Sequence, residues 1–150
     1  MPSPHASETP ISHLSSGDIR QRIRAGHHDG HTAGLAPGKL QCNLAILPER
    51  YALDFLRFCQ RNPKPCPIVG VSETGDPMLP TLGRDVDIRT DVPRYRVFRN
   101  GAFEEEVTAI SDLWTDDLVT VALGCSFTFE NALMRANIPV RHIEMGRNVP

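Results

Sequence analysis

Across residues 48–62 the apolar positions Ala52, Phe55, Leu56 and Cys59 recur at i, i+3, i+4 and i+7, with Asp54, Arg57 and Gln60 on the other face. This spacing predicts an amphipathic helix. Asn62 ends it, because Pro63 disfavours helical geometry in the residue before it. A second, shorter helix is expected around Asp18–Arg24, with Ser16 as the capping serine, Asp18 in the first turn and Gly26 beyond the end. Residues 40–47 are compatible with a buried strand stopped by Pro48, and 67–71 form a short strand candidate. Residues 95–99 and 102–107 flank Asn100-Gly101, a pair that tolerates positive φ at both positions and so predicts a tight hairpin. The run LVTVAL (118–123) reads best as a buried strand, although periodicity alone leaves a helix through 116–136 open. Residues 126–136 follow a helical pattern, and 140–144 are expected to be a last strand.

Strands alternating with helices, plus one hairpin, favour a mixed α/β fold: a layered sheet flanked by helices, with a smaller lobe containing the hairpin. Residues 26–38 hold four glycines and Pro37, and 73–84 are rich in Gly and Pro, so both are loops. Residues 1–15 form a polar arm, expected to be mobile because little in it offsets the entropy of ordering. The domain proper is then 16–150.

With 150 residues, 40% of them hydrophobic, the chain is large enough to bury a core without disulfides or metals. Sixteen basic against 18 acidic side chains give no electrostatic reason to expect nucleic acid or anionic lipid as a partner. No apolar run approaches the ~20 residues that span a bilayer, and the Ser-, Pro- and His-rich start does not read as a signal peptide. A cytoplasmic protein is expected, with Cys42, Cys59, Cys66 and Cys125 as reduced thiols.

Six stretches are distinctive: TAGLAPG (32–38), QCNLAILP (41–48), DFLRFCQRNPKPCP (54–67), DIRTDVPRYRVFRNG (87–101), DDLVTVALGCSFTFENAL (116–133) and IPVRHIEMGRNVP (138–150). Together they resemble the hydro-lyase family that includes D-glutamate cyclase. The chain departs from that pattern at Lys39, where an aromatic is usual, at Cys42 in place of alanine, and at Met145 in place of an acid. Members of the family continue for almost as long again, so the resemblance implies the N-terminal part of a longer protein. It also implies a lyase that removes water, cyclising glutamate (the D-enantiomer) to 5-oxoproline. The roles below come from the chemistry of such a reaction, not from the resemblance.

Cyclisation needs a cation for the α-carboxylate, a base for the ammonium, an acid for departing hydroxide and donors for an oxyanion. Cys125 and Ser126 lie at the expected start of the 126–136 helix, after Gly124, which would permit a tight turn. Unpaired amides and the positive dipole end there would stabilise a thiolate, a carboxylate or an oxyanion. Glu130 is the candidate acid or base one turn along, and Phe127 and Phe129 would fill the core or wall the pocket. The alternative is that Ser126 only caps the helix while Cys125 packs behind it. Arg61, Asn62, Arg89, Arg94, His142 and Arg147 are the candidate substrate-binding residues. Arg61 is favoured among the arginines because it adjoins the stiff NPKPCP turn. His142 is open to either a packed or a catalytic reading.

No metal is expected. His27, His28 and His31 sit in a glycine-rich loop that fixes no separation between them, and Glu104, Glu105 and Glu106 are explained by a charged hairpin edge. No phosphate-cradling or dinucleotide motif is present, so no organic cofactor is expected. Cys42, Cys59 and Cys66 are most simply buried hydrophobes. The expected partner is a small carboxylate or amino acid, and oligomeric state is left open. Two further readings stand beside the lyase: a small-carboxylate-binding or interaction protein that keeps the fold without turnover, and an amidohydrolase or acyl transferase using Cys125 covalently.

Overall fold

The LVTVAL run is a strand, and it is the middle of a sheet. In the computed structural model, which describes residues 11–147, β5 (Leu118–Gly124) lies between β1 (Cys42–Pro48) and β2 (Ile68–Val71), antiparallel to both. The β1–β5 ladder pairs Cys42 with Gly124 and Pro48 with Leu118, and β2 pairs Ile68 with Leu123 through a bulge before Gly70. A central strand covered on both faces reads as a continuous apolar run rather than an alternating one.

The two faces of β5 are buried differently. Val119 and Val121 pack with Ala52 of α2 (Glu49–Arg61), joined by Leu47, Phe55, Leu56, Ile68 and Leu123. On the opposite face Ala122 packs with Leu79 and Ile88, whose loop also brings Leu82 and Val86 over the sheet, and Trp114, just before β5, packs against the same cluster. Helix α2 follows β1 with no intervening loop, and the Glu49 N–H donates to the Asp117 carbonyl at 2.7 Å.

Helix α1 (Ser16–Arg24) buries Ile19 and Ile23. Its cap is Ser15, one residue before the expected Ser16. The Asp18 N–H donates to the Ser15 hydroxyl and the Asp18 carboxylate accepts from Ser15, a closed capping box. From its other side α1 extends Arg20 and Arg24 to Asp91, whose side chain is 2% exposed; Arg24 Nη2 reaches Asp91 Oδ2 at 2.7 Å and Arg20 Nε lies 3.2 Å from the same oxygen. The Asp87 N–H donates to that oxygen as well, at 3.0 Å. This buried carboxylate ties the helix to the loop that covers the sheet. The Asp91 hydrogen bonds hold the Arg24 guanidinium well above its ordinary range.

The hairpin pairs β3 (Tyr95–Arg99) with β4 (Ala102–Val107) as a separate two-stranded sheet, with φ of 51° at Asn100 and 79° at Gly101. The buried Tyr95 hydroxyl donates to the Ile88 carbonyl, which anchors the lobe to the main body; burial pushes that phenol up. Of the polar arm, residues 1–10 lie outside the described residues, while Ile11–His13 form a 3₁₀ turn before the Ser15 cap.

The C-terminal stretch corrects one expectation. Helix α3 (Phe127–Arg135) forms as expected, but residues 140–144 do not make a strand: Arg141–Glu144 is a short helix, α4. The apolar Val140 and Ile143 lie three apart, a spacing that puts both on one helical face but on opposite faces of a strand.

Candidate functional site

One end of the sheet collects the polar groups of three separate segments. Helix α2 returns antiparallel to β1, so its C-terminal turn lies at the end where β1 starts, β2 starts and β5 finishes. The Gly124 N–H donates to the Pro67 carbonyl at 2.9 Å. A Cβ at Gly124 would stand 3.2 Å from Val69 Cγ1 and 3.6 Å from Pro67 Cγ. Gly124 is therefore needed for close approach to the NPKPCP segment; its φ is not in the positive region, so the turn geometry first expected of it is not the reason.

Gln41 is the organising residue that sequence reasoning missed. Its backbone N–H donates to Thr128 Oγ1 at 3.0 Å, and its carbonyl accepts from the Cys125 N–H at 3.3 Å, the Thr128 hydroxyl at 3.2 Å and Cys125 Sγ at 3.5 Å. Its side-chain amide donates to the carbonyls of Thr32 at 2.8 Å and Leu35 at 3.1 Å. One residue thus fixes the glycine-rich loop, the start of β1 and the start of α3. The available signal was a polar residue directly preceding an apolar strand.

The turn Gly124-Cys125-Ser126 leads into α3 as expected, but its amides are less free. The Thr128 and Phe129 N–H groups donate to the carbonyls of Cys125 and Ser126 at 3.3 and 3.1 Å, and the Cys125 N–H is held by Gln41. Ser126 has helical φ and ψ, makes no capping hydrogen bond and is exposed. Its hydroxyl therefore stands free of the helix backbone.

Glu130 is not a free side chain projecting from the helix. It is buried, and Oε2 lies 3.3 Å from His142 Nε2, with the two side chains 12% and 20% exposed. The His142 ring stands edge-on to Phe127, centroids 6.1 Å apart. Phe127 thus walls the pair, whereas Phe129 is exposed and fills nothing. The pairing depends on the helical form of 141–144.

The remaining candidates are spread out. Arg61 is exposed at the end of α2 and forms no ion pair with a described residue; Asn62 donates from Nδ2 to the Phe58 carbonyl at 2.8 Å and terminates the helix. Arg89 is bound to Asp87, at 2.7 Å and 3.0 Å, and holds that carboxyl below its usual range. Arg94 bridges Glu106 at 2.7 Å and Asp29 at 3.1 Å, and likewise depresses the Glu106 carboxyl. Arg147 is exposed. Of the candidates the structure shows Glu130 and His142 in contact, on the segment that also carries Cys125 and Ser126, while Arg61 and Asn62 lie at the end of α2. Arg89 and Arg94 are engaged elsewhere. An open cleft of about 1570 Å³ between α1, β1 and the hairpin is lined by Arg94 but by none of the α3 group. His27 and His31 are exposed in their loop, and the described residues contain no group of three or more His, Cys, Asp or Glu arranged to hold a metal. No helix among the described residues is long and apolar enough to cross a membrane.

A mixed α/β body carrying a Glu–His pair beside a strand-to-helix turn is the class of protein the geometry defines. Comparison with known proteins makes this specific. Residues 119–150, the stretch bearing that turn and pair, match the family model described as D-glutamate cyclase. A protein of Jannaschia sp. (strain CCS1) named "Putative hydro-lyase" is 80% identical over 132 residues, covering 88% of this chain and 50% of that protein. Relatives with hydro-lyase names from Ruegeria pomeroyi (60% over 136 residues, 91% of the chain) and Bordetella petrii (61% over 131 residues, 87% of the chain) are each also covered over 50% of their length. The chain belongs to this hydro-lyase and D-glutamate cyclase family, and it spans about half the length of the curated relatives it matches.

Proposed function

We propose that the chain is part of a carbon–oxygen lyase that closes glutamate, the D-enantiomer first, to 5-oxoproline with loss of water. The observation that carries this reading is the Glu130–His142 pair at 3.3 Å within the family-matched segment. In the ring closure the amine attacks the γ-carboxyl carbon, the C–N bond forms, and the C–O bond breaks. The ammonium must first give up a proton, and the departing oxygen must gain two to leave as water. A carboxylate beside an imidazole suits these transfers: Glu130 takes one nitrogen proton before the attack and the second after it, and His142 passes each in turn to the departing oxygen, so two protons leave nitrogen and two arrive on the oxygen.

The neighbouring groups fit the other requirements. Among the described residues Arg61 pairs with no carboxylate, and its exposed planar fork suits the substrate α-carboxylate. The exposed Ser126 hydroxyl is the candidate donor to the developing oxyanion, the Cys125 thiol hydrogen being directed to the Gln41 carbonyl. No organic cofactor enters this scheme, and it requires no metal.

The test is incubation of the intact native protein with D- and L-glutamate, following 5-oxoproline. Turnover of D-glutamate ahead of L-glutamate is the expected result. A folded protein that turns over neither enantiomer overturns the reading; binding of glutamate without consumption would replace the lyase with a carboxylate-binding protein of the same fold.

A further inference from the structure

β1 is an edge strand, and the hydrogen bonds around the sheet fix which of its backbone groups point away from β5. At the two ends of the β1–β5 ladder the Cys125 N–H donates to the Gln41 carbonyl at 3.3 Å and the Glu49 N–H to the Asp117 carbonyl at 2.7 Å. On the far side of β5 the carbonyls of Thr120 and Leu118 accept from the N–H groups of Ser72 and Gly75 at 2.9 and 2.8 Å, and the Gly124 N–H donates to the Pro67 carbonyl. Alternate residues of an antiparallel strand send both backbone groups to the same side. The odd-numbered residues of β5 therefore face β1, where the register gives them Asn43, Ala45 and Leu47 as partners. Cys42, Leu44 and Ile46 turn their N–H and C=O groups the other way, and among the described residues no strand or loop backbone pairs with them.

This edge lacks the devices that keep sheet edges apart. Cys42–Pro48 carries no charged residue, and its ladder with β5 runs without a bulge. The opposite edge, β2, is only four residues long and bulged. Cys42, Leu44 and Ile46 line the cleft of about 1570 Å³, which is walled by Ile23 of α1 and by Val97 and Phe98 of the hairpin. That volume exceeds the roughly 300–1,000 Å³ of a small-molecule pocket. The cleft is apolar on both faces of β1: Leu44 and Ile46 pack with the Leu79–Ile88 cluster, and Leu47 packs with the cluster under α2.

We infer that this cleft seats an uncharged, apolar β-strand from the rest of the same polypeptide, paired with the free edge of β1. The relatives from Jannaschia sp., Ruegeria pomeroyi and Bordetella petrii are each matched over 50% of their length, so each carries as much chain again outside the match. A strand laid opposite residues 42–46 takes up the outward groups of Cys42, Leu44 and Ile46, and its side chains meet apolar surface on both faces. A second copy of this chain fits worse. Its own β1 is set back between its own α1 and hairpin, which keeps two such edges apart, whereas a single strand can enter.

The experiment measures amide hydrogen exchange in the full-length native polypeptide, residue by residue. The Leu44 and Ile46 amides should exchange within ~10-fold of those of Ala45 and Leu47, which already bond β5; an uncovered edge would exchange at least ~100-fold faster. The occupant is read by placing the photoreactive residue p-benzoylphenylalanine at Asn43, whose side chain is exposed, or at exposed Leu40 should the first variant fail to fold. Irradiation should give a cross-link at monomer mass to a segment outside residues 1–150. Fast exchange at Leu44 and Ile46 overturns the inference. So does a protected edge whose cross-link runs to a second copy, to residues 1–10 or to nothing outside 1–150. Neither readout uses glutamate, so failure here leaves the proposed reaction standing, and the reverse.

Discussion

Replacing Glu130 with Gln separates a chemical role from a structural one. The substitution keeps the shape of the side chain and removes its ability to accept a proton. If Glu130 is the base, turnover of glutamate should fall at least ~100-fold, the lower part of the range for acid–base catalysis. At about 1.36 kcal/mol per tenfold, that is about 2.7 kcal/mol of transition-state stabilisation. The structural cost is smaller. Glu130 meets His142 at 3.3 Å across a mostly buried contact, and an amide in the same place keeps a hydrogen-bonding atom toward the ring. Weakening one such bond costs about 1 kcal/mol, a Tm change of about 2–4 °C in a chain of this size. That loss leaves a protein of ordinary stability, about 5–15 kcal/mol, folded at assay temperature. The assay is 5-oxoproline formation under substrate saturation, paired with thermal unfolding of the same preparation. A rate within ~3-fold of the parent, with the fold intact, refutes Glu130 as the base.

The clamp on Asp91 and the turn at Gly75 give two stability predictions. Asp91→Ala strands Arg24, Arg20 and the Asp87 N–H around a vacated buried position; the loss should be about 3 kcal/mol, near the low end for breaking a buried pair because both arginines are partly exposed, and a Tm drop under ~3 °C would refute it. Gly75→Ala places a Cβ 2.7 Å from the Asp116 carbonyl oxygen at φ +77°, so a loss of at least ~1–2 kcal/mol is expected from the urea midpoint, and an unchanged midpoint would contradict the backbone described.

Much of this architecture is legible in the residue pattern because its signals are local. The stripe Ala52, Phe55, Leu56, Cys59 specifies α2, Asn100-Gly101 specifies the hairpin, and the apolar LVTVAL run specifies a strand covered on both sides. Residues 140–144 misled because so short a segment carries little periodicity, although the three-residue spacing of Val140 and Ile143 is the helical one. The site was half visible. Cys125, Ser126 and Glu130 are contiguous, so their neighbourhood was readable. The pairing of Glu130 with His142 needed the helical form of α4, and the isolation of Arg89 and Arg94 needed knowledge of where Asp87, Asp29 and Glu106 fall. Gln41 was missed because its one signal, a polar residue before an apolar strand, says nothing of the backbone groups that tie it to Cys125 and Thr128.

The position of β5 between β1 and β2 sets the order in which the molecule can assemble during synthesis. Its partners precede it by a long stretch, Leu118 pairing with Pro48 about seventy residues upstream. Until residues 118–124 have left the ribosome, β1 and β2 have no ladder to join, and the apolar side of α2 has no sheet to cover. Each closing contact must then bridge a long loop, which places folding among the slower, nonlocal topologies. Through that interval the nascent segment 42–71 presents an uncharged strand and an amphipathic helix to its surroundings, the kind of exposed apolar surface that favours aggregation until its central strand arrives.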